Sequence, residues 1–443
     1  MIEILCMFLG IFLGMLMGVL PGLGATSLML MLFPFLLHPS IDVFMLMSIF
    51  FGIVSSGQYY GSVSASVFGV LGEGSSLPAV QNGYPLTAKG RGAEVLVSAS
   101  TASYIAAISS IMFTALLVYT IPDSFLWMMK GKVVFILLCF ASILLIATSG
   151  RYLLATVCLA LGIVSSLVGY DDFFEQRILT FGITQLDGGL PMFPIFCGLL
   201  VIPIAWENLQ TTPKDQLHVI SGSIIDRAKL LFQYIRKPSI MRGTVIGFFS
   251  GFIPGMGYIV SSNIAATAER RWYSTDDEDK TRLNTLMSAE AANNAGSVSV
   301  LIPLLLLGLP IVSSEAIFMG AAELKGFSIT NTYEWFMMHW PWLLTLLVVI
   351  NTFNWIVAGV FFNVILSLYQ SSRKLIYYSL IALACSMMIY SGWEEQRLLL
   401  NLAVFGFTLP IGFYIVHNAS KFIFVYGYFV SELIVDEAYR IIF

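Results

Sequence analysis

Long apolar stretches recur from one end of the chain to the other, separated by short polar segments. A helix of about 20 apolar residues is long enough to cross the hydrocarbon layer. The period-two alternation of a membrane barrel is missing, whereas helices satisfy their backbone hydrogen bonds internally. The pattern therefore predicts an all-α integral membrane protein with about ten to twelve transmembrane segments. The clearest examples are Ile4–Leu20, Val133–Ala147, Tyr152–Val168, Trp342–Phe362 and Leu399–Val416.

Composition narrows the class of protein. Hydrophobic residues make up 58% of the chain and charged residues 11%, whereas a soluble domain carries roughly a quarter charged residues, so the expected partner is the lipid bilayer. The segment Met1–Leu20 lacks the basic start and cleavage site of a secretory signal, and we predict a retained first span. The formal net charge of -4 is thinly spread and favours no nucleic acid partner. The five cysteines stand singly in apolar runs, which predicts neither a metal site nor disulfides.

Two halves of the chain carry the same motifs in the same order. GVLPGLG at Gly18–Gly24 is answered by GFIPGMG at Gly251–Gly257, an offset of 233 (254 − 21) between their prolines. GSVS at Gly61–Ser64 recurs at Gly296–Ser299, an offset of 235 (296 − 61). Internal repeats of this kind are common in carriers. We therefore predict a first repeat over 1–206 and a second over 243–443. A weaker echo pairs Glu175-Gln176-Arg177 with Glu395-Gln396-Arg397.

The polar stretch Glu207–Arg242 falls between the halves and is the predicted linker. Short loops rich in Lys and Arg tend to stay in the cytoplasm, which places this linker and the loop of Lys89 and Arg91 on the inner side of a bacterial-type inner membrane. The pattern does not decide between parallel and inverted repeats. Inverted repeats are favoured here by analogy with other carriers.

Two Pro-Gly clusters interrupt apolar sequence, Pro21-Gly22-Leu23-Gly24 and Pro254-Gly255-Met256-Gly257. Backbone groups freed inside a membrane must bond to protein or to water in a cavity, so we predict that each cluster breaks a helix. The helix that follows would turn its N–H groups and positive dipole end toward an anion. We therefore assign the proline and both glycines of each cluster to a substrate site. Close packing of small residues, or a plain loop, is the alternative.

A run of small and polar residues from Ser288 leads into the apolar segment Val300–Leu309. Asn293, Asn294 and Ser297 follow at helical spacing, and such groups are costly in hydrocarbon unless they find partners. Their N–H and O–H groups can donate to a carboxylate, and their oxygens can coordinate a hard cation. We predict that they bind substrate, with capping and bonding between helices as the alternative. Glu290 is a candidate cation or proton site.

The first half offers a longer counterpart. Ser62, Ser64, Ser76 and Asn82 lie among interleaved glycines that allow close backbone approach to a ligand, and we assign them to the same substrate site. Glu73, in a turn of small residues, is a candidate cation or proton site or else a solvated loop residue. An enzyme is the less economical interpretation, because the four histidines lie far from these serines and no hydrolase motif is present.

In the order of its motifs the chain resembles the large membrane subunit of the tripartite tricarboxylate transporters, the TctA family. The resemblance runs from about Gly10 to Pro310 and continues more faintly to the C terminus; Glu290-Ala291-Ala292-Asn293-Asn294 is its most specific part. Further motifs are Gly18–Gly24, Tyr60-Gly61-Ser62, Asn82-Gly83-Tyr84-Pro85, Gly251–Gly257 and Gly308-Leu309-Pro310.

The resemblance implies a secondary carrier for small organic carboxylates. It implies coupling to Na⁺ or H⁺ and no cofactor. The implied partners are a small membrane subunit and a periplasmic binding protein. The implied architecture has two helical hairpins that meet at the substrate site. A homodimer is compatible with it.

This chain departs from the family pattern at several positions. Gly69-Val70-Leu71-Gly72 stands for the usual Asn-x-Pro-Gly, Ala79 for a Thr, Asn82 for an Asp and Ile311 for a Gly. Most departures fall in the first half, where they put the substrate and the coupling ion in question. A non-transporting or sensor-like derivative, or an intramembrane enzyme, is the alternative function.

Overall fold

The computed structural model describes residues 2–19, 24–68, 74–76, 78–120, 139, 142–143, 146, 151–171, 176–191, 194–195, 197–210, 224–251, 257–327, 332–394, 396–415, 423–424, 427–428 and 431. Helices account for most of this part of the chain, which confirms the predicted helical class. In order they are α1 Ile2–Val19, α2 Ala25–Leu36, α3 Val43–Tyr60, α4 Ser62–Phe68, α5 Gly92–Thr120, α6 Tyr152–Ser166, α7 Ile202–Gln210, α8 Ile224–Tyr234, α9 Pro238–Gly251, α10 Gly257–Trp272, α11 Glu278–Ser299, α12 Leu301–Leu307, α13 Ser313–Glu323, α14 Thr332–Glu394 and α15 Leu398–Tyr414.

Shorter elements complete the description. A 3₁₀ turn, Gly74–Ser76, precedes a run of π and α turns over Ala79–Gly83, Tyr84–Leu86 and Thr87–Arg91 that leads into α5. A two-stranded antiparallel ribbon pairs β1 (Gly169–Asp171) with β2 (Gln176–Ile178).

Four helical stretches in the described part are long and apolar enough to cross a membrane. They are Ile2–Val19, Val43–Val67, Ala79–Thr120 and Thr332–Val364, with Tyr152–Ser166 and Leu398–Tyr414 as shorter apolar helices. The spans expected at the N terminus and around Trp342–Phe362 are therefore confirmed as long apolar helices. Val133–Ala147 falls almost entirely outside the described residues, so the full count of spans stays a prediction.

Helix α1 packs against α3 along a line of glycines. Gly10, Gly14 and Gly18 recur every fourth residue and therefore lie on one helix face. A Cβ at Gly14 would lie 2.6 Å from the carbonyl oxygen of Ile53, and one at Gly18 would lie 2.7 Å from that of Gly57. The two backbones are thus in direct contact, the kind of helix pairing that small residues permit in a membrane.

Helices α9 and α11 form a second pair of the same kind. Gly243, Gly247 and Gly251 again recur every fourth residue, each 233 positions after its counterpart in α1 (243 − 10). A Cβ at Gly247 would lie 2.6 Å from the Cα of Ala292, and one at Gly251 would lie 2.9 Å from the carbonyl oxygen of Gly296.

These contacts align the two halves more closely than the sequence motifs do. The Gly57 carbonyl faces Gly18, and the Gly296 carbonyl faces Gly251. Gly296 therefore occupies the place of Gly57, an offset of 239 (296 − 57), and not that of Gly61 as the shared letters GSVS suggest. One helical turn separates the two alignments.

The predicted linker Glu207–Arg242 has helical structure where it is described. It includes the end of α7, the whole of α8 and the start of α9, while 211–223 lies outside the described residues. The domain boundaries themselves stay a prediction.

The arginines of the two Glu-Gln-Arg motifs both bond to the loop at residues 185–189. Arg177 forms an ion pair with Asp187 at 2.9 Å. Arg397 donates to the carbonyl oxygens of Gln185 at 2.7 Å, Gly188 at 3.2 Å, and Gly189. The loop after the ribbon is therefore tied to the start of α15.

Candidate functional site

Helix α11 carries the most specific motif of the sequence into the protein interior. It begins at an Asp277 cap, whose carboxylate accepts from the backbone N–H groups of Asp279 and Lys280 at 3.0 and 3.1 Å. Beyond its charged start the helix is lined by small residues, so α9 and α10 approach it closely. Its second half, from Met287 to Ser299, is buried throughout.

The two adjacent amides of α11 contact the first half of the chain. Asn294 Nδ2 donates to Ser103 Oγ on α5 at 2.8 Å and to the Glu290 carbonyl oxygen at 3.0 Å. Asn293 Nδ2 lies 3.4 Å from the Gln58 carbonyl oxygen at the end of α3, a long hydrogen bond. Asn293 Oδ1 is buried and has no partner in the described part of the protein.

Glu290 lies one helical turn before Asn294 and is also buried, with 1% of its surface exposed. The hydroxyls of Ser62 on α4 and Ser103 on α5 hydrogen-bond to its carboxyl group. Its Oε2 atom, however, has no partner among the described residues. Buried polar atoms are nearly always paired, so an unpaired carboxyl oxygen needs an explanation.

Further unpaired hydroxyls occur on the helices around Glu290. Ser64 and Ser66 on α4, Thr101 on α5 and Ser288 on α11 each bury an oxygen without a partner in the part of the chain that the structure describes. Ser297 differs, because its hydroxyl donates back to the Asn294 carbonyl oxygen at 2.9 Å. The Ser297 hydroxyl therefore bonds back to its own helix, whereas the other hydroxyls have hydrogen-bonding capacity left unused among the described residues.

Each half also places a segment on the helix that follows the Pro-Gly cluster of the other half. Ser262 on α10 donates to the Ser75 carbonyl oxygen at 2.6 Å, and α13 packs against α2. A basic residue near the end of each contacting helix also makes a hydrogen bond to the other half. Arg270 at the end of α10 donates to Asn82 Oδ1 at 3.2 Å, and Lys325 after α13 donates to the His38 carbonyl oxygen at 2.9 Å.

A network of charged residues joins the halves next to Asn82. The Asp279 carboxylate forms ion pairs with Lys89 and Arg91, with nitrogen–oxygen distances of 2.6 and 3.2 Å. Glu278 forms an ion pair with Arg270 at 2.7 Å. Gly90, with φ of 83°, makes the left-handed bend that lets its two basic neighbours reach one carboxylate. Hydrogen bonds from Lys89 and Arg270 lower the pKa of Asp279 and of Glu278 respectively.

These lowered pKa values predict acid sensitivity. A carboxyl group with a lower pKa in the folded state stabilises the fold at pH values above its unfolded pKa. This contribution is lost as the pH falls from there through the lowered folded pKa. We expect the thermal unfolding midpoint of the full chain to fall as the pH is lowered from neutral to acidic. Asp279→Asn should lower the midpoint at neutral pH and flatten its pH dependence. An unchanged slope in this variant would contradict a role for the network in stability.

The structure places the predicted site residues in three groups. Asn293, Asn294, Ser62 and Glu290 come together. With their partners Gln58 and Ser103 they form the polar group. Ser64 is buried on the same short helix as Ser62. Asn82 lies apart from them, beside Arg270. Ser76 is buried in the turn that contacts α10, Gly24 caps α2, and Gly257 is in the first turn of α10. The remaining predicted residues, Pro21, Gly22, Glu73, Pro254 and Gly255, lie outside the described residues.

Sequence reasoning missed several residues of the group. Gln58, Thr101 and Ser103 were not assigned, nor was Arg270 beside Asn82. The signal for α5 is present in the sequence, because Ser98–Ser103 reads SASTAS within an otherwise apolar helix. Hydroxyl-rich stretches in such a helix are expected to face protein and not lipid.

Open clefts lie elsewhere on the molecule. One of about 350 Å³ is lined by residues of α9 and α10 around Arg242 and Trp272. Another of about 470 Å³ lies beside Arg397 and Trp393. Neither is lined by Glu290 or Asn293, so neither opens onto the polar group.

The polar group combines two chemistries at one place. Amide N–H and hydroxyl groups can donate to a carboxylate, while unpaired carboxyl and amide oxygens can accept a cation or a proton. A lone ionised carboxylate in this interior would be costly. An anion next to Glu290 would raise that cost further, unless a positive charge binds there too.

Long apolar helices around a buried polar centre built from both halves define a polytopic helical membrane protein. Comparison with known families agrees. The model of the tripartite tricarboxylate transporter TctA family matches residues 4–417, and the chain belongs to this family. The resemblance inferred from the motifs is thereby confirmed. Because this is a family of transporter subunits, the prediction that the chain is not an enzyme is also confirmed.

One curated protein is similar to most of the chain. The protein described as "Uncharacterized 52.8 kDa protein in TAR-I ttuC' 3'region", from Agrobacterium vitis, is 29% identical over 337 residues. The match covers 73% of this chain and 64% of the relative, less than two thirds of that protein's length. No solved structure matches the chain.

Proposed function

We propose that this chain is the membrane permease subunit of a secondary carrier that moves small organic carboxylates across a bacterial-type inner membrane. Family membership supports the transport class. The observation that carries the finer proposal is the group on α11. There, two adjacent amides suited to a carboxylate lie beside a buried carboxyl group, one oxygen of which has no partner among the described residues. The substrate site would comprise Asn293, Asn294 and Ser62, together with the Pro-Gly clusters before α2 and α10.

The same group supplies a physical reason for cation coupling. Placing two anions in one low-dielectric pocket costs much free energy, because their repulsion is poorly screened there. A cation or proton on Glu290 removes one negative charge and allows a substrate carboxylate to enter. Oxygens of Ser62 and Ser103 contact this carboxyl group, and Asn293, about one helical turn further along α11, carries an oxygen with no partner among the described residues. Oxygens of this kind are the hard ligands that Na⁺ prefers.

The two halves would then alternate around this group. The glycine pairs α1–α3 and α9–α11 have the same contacts, which supports a duplicated architecture. In this proposal the ion-paired face near Asp279 is one of the boundaries that open and close. Family analogy supplies the further partners, a small membrane subunit and a periplasmic binding protein.

Cation dependence tests the proposal. The full chain, reconstituted in liposomes with its small subunit and binding protein, is offered radiolabelled citrate and succinate. Uptake is measured under an inward Na⁺ gradient, an inward proton gradient, and neither. We expect accumulation only when a gradient is present, because Glu290 must be neutralised before an anion binds. Equal accumulation without any gradient would contradict secondary coupling.

A second candidate function is a sensor derived from a carrier. The departures at Gly69–Gly72 and Asn82 favour it, because they alter first-half positions that resemble the family's ligand-binding elements. A sensor would bind the same acids without moving them. Binding measured by calorimetry with no flux in liposomes would select this alternative over the carrier.

A further inference from the structure

Glu315 is a second buried carboxyl group, separate from the group around Glu290. It lies in the first turn of α13 with 1% of its surface exposed. Its Oε2 atom accepts from the backbone N–H groups of Ile311 at 2.9 Å and Val312 at 3.3 Å. Glutamate commonly caps a helix in this way. This role occupies only one of its two carboxyl oxygens.

The other carboxyl oxygen finds no hydrogen-bond partner among the described residues. Glu315 Oε1 is buried without a hydrogen bond in the part of the chain that the structure describes, and the ion pairs found there do not include this residue. An ionised carboxylate in such a position is held only by two N–H groups and the helix dipole.

The surrounding helices offer no compensating charge. Helix α13 packs against α2 and α3, and neither carries Asp, Glu, Lys, Arg or His. The titratable residues of α3 are Tyr59 and Tyr60, whose hydroxyls donate to backbone carbonyl oxygens of Ser100 and Asn354. On α13 itself the other charged residue is Glu323, which is exposed at the far end.

The number of free oxygens decides which positive charge fits. A hard metal cation is bound by several oxygens at once, whereas Glu315 offers a single free oxygen. A proton needs only that one atom. We propose that Glu315 is a proton-binding residue of the carrier, taking a proton on Oε1 in one state of the transport cycle and releasing it in another.

This inference rests on the proposed carrier function, and the position of α13 connects it to movement. Helix α13 lies on α2, which follows the first Pro-Gly cluster. With the proton bound, the neutral carboxyl group is compatible with close packing of these helices. Loss of the proton leaves a charge that favours a state in which water reaches Oε1.

Chemical labelling tests proton binding without requiring transport. Dicyclohexylcarbodiimide adds to a protonated carboxyl group, and the adduct rearranges to a stable N-acylurea with no atom lost. The full chain in lipid nanodiscs is labelled at acidic, neutral and alkaline pH, in choline chloride or in NaCl, and the modified peptides are quantified by mass spectrometry. We expect labelling at Glu315 that decreases as the pH rises and is insensitive to NaCl. Absence of labelling at every pH, or protection by NaCl at constant pH, would overturn the proton assignment.

Glu315→Gln separates the proton site from the helix cap. Glutamine also serves as a capping residue, so the fold should be retained while proton exchange is lost. We expect counterflow of labelled citrate or succinate at the wild-type rate, with no stimulation by a proton gradient. Glu323→Gln on the same helix is the matched control and should keep the wild-type response.

The two proposals fail in different ways. A Glu315→Gln variant with wild-type stimulation by the proton gradient would overturn the role of Glu315 and leave the carrier intact. A wild-type chain that moves none of the acids would overturn the carrier, while labelling still decides whether Glu315 binds a proton.

Discussion

Replacing Asn293 by alanine is expected to reduce uptake of labelled carboxylate to the level of empty liposomes while leaving the protein folded. We expect this amide to contribute little to the stability of the fold. Its one hydrogen bond to Gln58 is long, and its Oδ1 atom is unpaired among the described residues. Loss of a typical hydrogen bond costs about 0.5–1.5 kcal/mol, and this one is long. The measurement is initial uptake per folded protein in liposomes, with thermal unfolding followed in parallel.

Asn294→Ala should lose uptake and some stability as well, because this amide makes shorter bonds to Ser103 and to the Glu290 carbonyl oxygen. Asn354→Ala is the matched control. Asn354 exchanges hydrogen bonds with Ser56 at 3.0 and 3.1 Å and thereby links α14 to α3. The control should lose about 1–3 kcal/mol of stability and keep its uptake per folded molecule. Wild-type uptake in both α11 variants would refute the substrate site.

Gly247→Ala is expected to cause the largest loss of stability. The added Cβ would lie 2.6 Å from the Ala292 Cα and even closer to that residue's carbonyl oxygen. These are backbone atoms, so no side-chain rotation relieves the overlap and α9 must move away from α11. Overpacking of this kind costs about 3 kcal/mol. We expect a lower thermal unfolding midpoint and a smaller yield of monodisperse protein.

The same substitution at another helical glycine provides the control. Among the described residues, no atom outside the local helix backbone lies within 4 Å of a Cβ built on Gly406 of α15. Alanine favours a helix over glycine by about 1 kcal/mol. Gly406→Ala should therefore be neutral or mildly stabilising. Equal midpoints for the two variants would show that the α9–α11 contact is looser than the structure indicates.

Much of the site's location was predictable from the sequence, but its composition was not. The Glu290–Asn294 motif marks α11 because its spacing alone places Glu290 and Asn294 one turn apart on one helix. Ser62 was assigned from its glycine-rich context, yet nothing in the sequence pairs it with Glu290. Ser103 lies far away along the chain and joins the group only because α5 packs against α11.

The repeat illustrates a different limit. Shared letters predict a duplication and align Gly296 with Gly61, whereas the backbone contacts align Gly296 with Gly57. Short motifs of small residues can match one turn out of register, since either alignment preserves the same helix face. Contacts across a helix pair fix the register because glycine allows the backbones to touch at one spacing only.

The sequence by itself determined that the chain is a helical membrane protein, that helices follow its two Pro-Gly clusters, and that α11 carries its amides on one face. These properties depend on hydrophobic length and on neighbours within one helix, which local spacing specifies. Only the tertiary structure decided that Glu290 meets Ser62 and Ser103, and that Asn82 instead meets Arg270. It also decided that Glu315 is buried with one carboxyl oxygen unpaired among the described residues. Those facts depend on how glycine-lined helices pack across the two halves, and that packing balances many weak contacts distant in sequence.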